Sequence, residues 1–235
     1  MRVKLVLLCT VVIGLLGCAN PADKKEKVSS QNSLDQSSQK ELTLNSFALK
    51  ETPPDNIPST LNSFKPFFIY SDKGSRENHY IPSGFMPDGK CITLNEAWGE
   101  NCHSGKNCIK VIYDVQCSKD GQKWAGIYWL NPANNWGQRK GGFNLKDAQK
   151  LIFWARGEKG GEQIQEFTVG GILGNYPDSD SALIGSVILT PEWREYMIDL
   201  RGKDLSYISG GFAWTTNVDV NPESCTFYLD DMRFE

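Results

Sequence analysis

Trp154 and Arg156 stand two residues apart in the run Leu151–Arg156, and in an extended chain that spacing puts both side chains on one side. An indole offers a flat apolar plate, and a guanidinium offers a rigid fork of donors. Together they suit a planar ligand edged with polar groups better than they suit an interior. The same alternation sends Leu151, Phe153 and Ala155 to the other side, which reads as the core face. The pair lies within Trp124–Glu162, a stretch holding four of the seven tryptophans. Two polar loops, Asn131–Gly142 and Gly157–Glu162, follow its apolar runs. Trp129 ends the run before the first loop, Asn135 and Trp136 sit inside that loop, and Glu162 closes the second. Most tryptophans in sheet proteins are core, because their large apolar area favours burial. Trp193 and Trp214, the latter sharing parity with Phe212, are assigned there.

The elements that must carry these side chains read as strands. Short apolar, aromatic-rich runs bounded by turn clusters occur at Phe67–Ser71, Cys91–Glu96, Ile109–Val115, Ala125–Trp129, Leu151–Arg156, Ile164–Val169, Ser186–Leu189, Glu195–Leu200, Gly210–Thr215 and Thr226–Phe234. About ten strands with no alternating long helices predict an all-β, two-sheet antiparallel sandwich. Asn144 to Lys150 and Asp204 to Ile208 are expected to form short helical turns. In the last strand, Asp230 shares parity with Tyr228, Met232 and Phe234. If that parity faces the core, the carboxylate needs a partner, and a bound cation would supply one. Asp178-Ser179-Asp180 lacks the spacing and later glutamate of an EF-hand and reads as a solvated turn.

Residues 1–17 read as a targeting signal, with Arg2 and Lys4 ahead of an apolar stretch from Leu5 to Leu16 that is too short to span a bilayer. Leu15-Leu16-Gly17-Cys18 resembles the bacterial lipobox, which implies cleavage before Cys18 and its lipidation. The expected location is the cell envelope, at the outer membrane or cell surface. Residues 18–60, rich in Lys, Ser, Gln, Asn and Pro with Phe47 as their one aromatic, read as a flexible tether. Residues 61–235 are long enough to bury one good core. Removing residues 1–17 leaves 23 cationic against 28 acidic side chains, a formal charge of −5. That balance argues against nucleic acid as a partner and leaves the lipid as the only membrane link.

Loss of Cys9 with the signal and of Cys18 to lipid leaves five of seven cysteines, and an exported chain can bridge them. Two histidines and no C-x-x-C give a zinc site little to work with. G-x-S-x-G, H-E-x-x-H and P-loop motifs are missing from the sequence, and no carboxylate pair is framed as in a glycosidase.

The ordered set SGKNCIKVIY, LIFWARGEKGGE, LTPEWREYMIDL, ISGGFAWTT and TFYLDDMRFE resembles the galactose-binding-like β-jelly-roll domains, in particular bacterial carbohydrate-binding modules, over roughly Phe67 to Glu235. The resemblance implies glycan binding on a concave sheet face or loop edge and a structural calcium near the first and last strands. Carried over by position, the calcium ligands would be Asp230 and Asp72. It also implies that the SGKNCIKV strand lies beside the last one, allowing a Cys108–Cys225 bridge, while the pairing among Cys91, Cys102 and Cys117 stays open. The expectation is a membrane-anchored, non-catalytic glycan-binding lipoprotein. Trp154, Arg156, Trp129 and Trp136 would contact sugar rings, and Asn135 and Glu162 would bond hydroxyls. The rival expectations are a polysaccharide-degrading enzyme on the same fold and an adhesion or assembly protein that binds no sugar.

Overall fold

A computed structural model describes residues 64–117 and 123–235. The proposed signal, Cys18 and the whole of the tether lie outside the described residues. Thirteen strands follow one another: β1 (Phe67–Tyr70), β2 (Ile81–Met86), β3 (Ile92–Trp98), β4 (Cys108–Tyr113), β5 (Trp124–Leu130), β6 (Lys150–Gly157), β7 (Gln163–Ile164), β8 (Glu166–Gly170), β9 (Ser181–Ile184), β10 (Val187–Ile188), β11 (Arg194–Asp199), β12 (Gly210–Asn217) and β13 (Cys225–Phe234). All pairings are antiparallel.

One sheet runs β11-β6-β13-β4-β3, with β1 also paired to β13. A second runs β2-β5-β12-β8-β9, and β7 and β10 form a small ribbon. From β4 onward the long strands change sheet at each step, β4 to β5 to β6 to β8 to β11 to β12 to β13 being spread alternately over the two layers. That is jelly-roll wiring, and the all-β sandwich expected from the sequence is what forms.

The alternation that builds the strands also builds the core. Ile109, Val111 and Tyr113 of β4, Leu151, Phe153 and Ala155 of β6, and Phe227 and Leu229 of β13 are buried against Ala125, Ile127 and Trp129 of β5 and Phe212 and Trp214 of β12. Aromatic pairs join the layers directly. Phe153 lies 4.6 Å from Phe167 and 5.1 Å from Phe212, and Trp214 meets Phe227 edge-on at 5.0 Å. Such pairs add about 1 kcal/mol each beyond the area they bury.

Three local expectations are corrected. Ile164–Val169 is not one strand but the end of β7 and most of β8, because the pairing partner changes: Ile164 pairs with Val187 of β10, while Glu166 and Phe167 pair with β12. The expected helical turns do not form, and no helix occurs among the described residues. Asn144 and Asp204 each accept the N–H two residues on, Lys146 and Ser206, which closes a tight turn instead of opening a helix. Finally, the ladder of β13 slips between Asp230 and Arg233, with Asp231 at φ 46°. This bulge inverts the side-chain parity: Tyr228 and Asp230 face away from the partner sheet, while Met232 and Phe234 return to the core.

Candidate functional site

The outward face of the five-stranded sheet is set by register. Across it run Gly84, Tyr128, Ala213, Thr168 and Leu183, paired in turn from β2 to β9. A second row is Met86, Gly126, Thr215 and Glu166, and Trp124 pairs with Asn217 beyond it. Tyr128 does not stand up from this face. Its hydroxyl donates to the Gly170 carbonyl at 3.1 Å, so the ring reaches from β5 over β12 to β8. Gly210 makes the crossing possible, since a Cβ there would approach the ring to 3.1 Å. Burial, then the charges of Asp178 and Glu166, push the Tyr128 phenol up to about 12, so at neutral pH it remains a donor.

Trp136 meets Tyr128 edge-on, ring centroids 5.8 Å apart and planes at 81°. The two rings form a right-angled corner. Gly84 provides its space, because a Cβ there would fall 3.0 Å from the indole. The loop that carries Trp136 is rigid for identifiable reasons. Asn135 accepts from Arg139 N and donates to Arg139 O, Trp136 N donates to Gln138 Oε1, and Gly137 O accepts from Tyr176 N. Asp178 fastens the adjoining segment to β12, accepting from Ile172 N, Ser209 N and Oγ, and Gly210 N. The Asp178 turn, expected to be merely solvated, is therefore a strap that holds one rim of the face.

Several exposed apolar side chains belong to this face. Of the seven large hydrophobics exposed among the described residues, Ile81, Trp124 and Leu183 point outward from this sheet, and Leu173 and Tyr176 lie in the segment packed on Gly137. These apolar side chains are spread along the edges of the face, and Thr168, Thr215 and Glu166 supply polar groups between them.

The residues expected to form the site are dispersed. Trp129 is fully buried between the sheets, edge-on to Phe212 at 5.5 Å, and has no surface for a ligand. Its parity is that of Ala125 and Ile127, both core. Asn135 is 1% exposed and spends its amide closing the loop. Glu162 is buried, with Oε1 accepting from Lys159 N to close its turn and Oε2 without a partner. Trp154 and Arg156 do share the outward face of the six-stranded sheet, but neither stands free in solvent. His103 lies flat on Trp154, and Arg156 is only 7% exposed, its guanidinium over Tyr228. Of the six, Trp136 alone belongs to the corner, and Tyr128 was missed. The strand pattern contained the signal: with Ala125, Ile127 and Trp129 inward, Trp124, Gly126 and Tyr128 must face out.

The disulfides are Cys91–Cys117 and Cys102–Cys108, with Cys225 buried and free. The Cys108–Cys225 bridge is thus corrected. β4 does pair with β13, but Cys225 is opposite Tyr113 and Cys108 is at the other end of β4.

Asp72 and Asp230 do not fit a shared calcium. Asp230 Oδ2 accepts from His103 N at 3.0 Å and Ser104 N at 3.1 Å, and Oδ1 accepts from Asp231 N at 2.9 Å. Asp72 accepts from Lys73 N and Lys106 N. Backbone N–H groups of the 103–106 loop thus aim their positive ends where a cation would sit. Burial first, with Asp231 adding to it, raises the Asp230 carboxyl to about 6, against the opposing effect of its N–H donors.

No protein-family model matches the chain, and no curated protein matches it. Solved structures do resemble it. A family 11 carbohydrate-binding module of a cellulosomal cellulase of Clostridium thermocellum aligns with a TM-score of 0.48 at 14% identity, over 72% of this chain and 94% of that one. A family 30 module of another cellulosomal cellulase of the same organism gives 0.47 at 13%, over 73% and 97%. A family 29 carbohydrate-binding module gives 0.42 at 10%, over 72% and 87%.

Proposed function

We propose that the protein is a non-catalytic glycan-binding lipoprotein, held at the cell envelope by acyl chains on Cys18 and presenting its outward five-stranded face to polysaccharide. The observation that carries the reading is the Tyr128–Trp136 corner, two rings at 81° on an otherwise low face floored by Gly84, Gly126 and Ala213. Pyranose rings have apolar C–H faces and hydroxyl-lined edges. The corner offers two aromatic plates to the former, and Thr168, Thr215 and Glu166 offer partners to the latter.

A glycan array probed with the purified protein, followed by calorimetric titration of the best ligand, tests this reading. Saturable binding of a neutral oligosaccharide with affinity on the order of micromolar to millimolar is expected. Release of reducing ends from that ligand would move the protein to the enzymes, and binding to no glycan would leave an adhesion or assembly role.

A further inference from the structure

The opposite layer carries a second arrangement that the glycan face does not use. On the outward side of the six-stranded sheet, Lys110 of β4, Tyr228 of β13 and Arg156 of β6 are direct cross-strand neighbours. Cations and rings alternate along this row. Lys110 Nζ lies 4.0 Å from the Trp98 ring centre and 5.5 Å from that of Tyr228, and the Arg156 guanidinium lies 3.8 Å from Tyr228 and 5.4 Å from Trp193. Both outer indoles are fixed, Trp98 Nε1 donating to Glu100 O and Trp193 Nε1 to Asn101 O, so the 100–101 segment forms a wall. The result is a solvent-open depression of about 340 Å³ lined by Trp98, Glu100, Lys110, Arg156, Glu158 and Tyr228.

Its polar groups are incompletely matched. Arg156 is 7% exposed, its Nη1 reaches only the Gly157 carbonyl at a long 3.3 Å, and its Nε has no acceptor. Among the described residues no carboxylate forms an ion pair with Arg156 or with Lys110. Glu158 instead accepts the Tyr228 hydroxyl. A guanidinium taken out of water without an anion is costly, and cation–π contacts with two rings, about 1–2 kcal/mol each, offset only part of that cost. A planar carboxylate is the group that a guanidinium fork and a neighbouring ammonium recognise together.

We infer that this depression binds a saccharide unit bearing a carboxylate, of the uronic acid type, with Arg156 and Lys110 taking the carboxylate and the half-buried Trp98 packing the ring. The inference rests on the glycan-binding reading for its ligand class, and adds a second site of different charge on the other layer. Glu100 and Glu158 balance the two cations of the lining, so the depression suits a ring bearing one carboxylate better than a compact, multiply charged anion such as phosphate.

Calorimetric titration of the purified protein with trigalacturonate, and with its fully methyl-esterified form, tests the site. Trigalacturonate binds, its affinity falls with added salt, and the ester binds at least tenfold more weakly. Lys110→Gln weakens trigalacturonate binding about tenfold, and Arg156→Gln abolishes it. Should the Arg156 variant fail to fold, the Lys110 variant still decides. Tyr128→Ala, on the other layer, leaves trigalacturonate binding unchanged while it lowers binding of the neutral ligand. Equal binding of acid and ester, no binding of the acid, or an acid affinity that responds to Tyr128 and not to Lys110 overturns the inference. Failure of neutral glycans alone overturns the five-stranded face instead.

Discussion

His103 lies flat on Trp154, ring centroids 3.7 Å apart and planes 14° from parallel, and its Nδ1 is 2.8 Å from Asp231 Oδ2. The indole face that would meet a ligand is thus already covered by the chain's own imidazole, fixed from behind by a carboxylate. His103→Ala is expected to lower stability by about 1 kcal/mol, the stacking energy of such a pair, and to raise acrylamide quenching of tryptophan fluorescence. Binding of neutral glycan should not change. A gain in glycan affinity on this substitution would restore Trp154 as a platform.

The covering loop is itself tied to the sheet by a buried acid. Asp230 has a folded-state pKa of about 6, above its ordinary value of 3.8. With the folded value raised, the native state holds the proton more tightly than the unfolded chain between those two values. Stability from this group is therefore full below about pH 4 and is lost as pH rises through about 6. Asp230→Asn removes the titration. The difference in denaturant midpoint between wild type and variant should shift in the variant's favour from pH 4 to pH 7, and a constant difference would contradict the assignment.

The two disulfides close loops of different length, with sequence separations of 26 for Cys91–Cys117 and 6 for Cys102–Cys108. In the chain-entropy view, removing the first by Cys→Ser at both positions costs about 3.5 kcal/mol and removing the second about 2.2 kcal/mol. Urea unfolding of the two double variants checks the order.

Cys225 is buried, and burial followed by the charge of Glu162 pushes its thiol up to about 12. A thiol so protonated is a poor nucleophile. Iodoacetamide at pH 8 should leave Cys225 unmodified in the native protein and modify it in denaturant, as read by peptide mass spectrometry. Rapid native labelling would mean that β13 opens at its start.

The all-β class and most strands were legible because the alternation that makes a strand is written residue by residue, as in Ile109, Val111 and Tyr113 against Lys110. What failed depended on one-residue shifts or on distant partners. The slip at Asp230 reverses the direction of Met232 and Phe234, and nothing local announces it. Asp230 was legible as a carboxylate in need of partners, but those partners are N–H groups of His103 and Ser104, more than a hundred residues earlier. Trp154 was correctly placed on an outward face, yet its cover comes from another loop. Trp129 was a different kind of error. Its strand parity, shared with Ala125 and Ile127, was readable, and its place at the end of the strand beside the Asn131–Gly142 loop was misleading.

The central claim is that neutral glycan lies in the Tyr128–Trp136 corner. Calorimetric titration of the best array ligand against Tyr128→Ala and Trp136→Ala tests it most directly, with folding checked by near-UV circular dichroism. A stacked ring contributes about 1 kcal/mol or more beyond its area, so each variant is expected to lose about tenfold or more in affinity. Wild-type affinity in both folded variants would contradict the account.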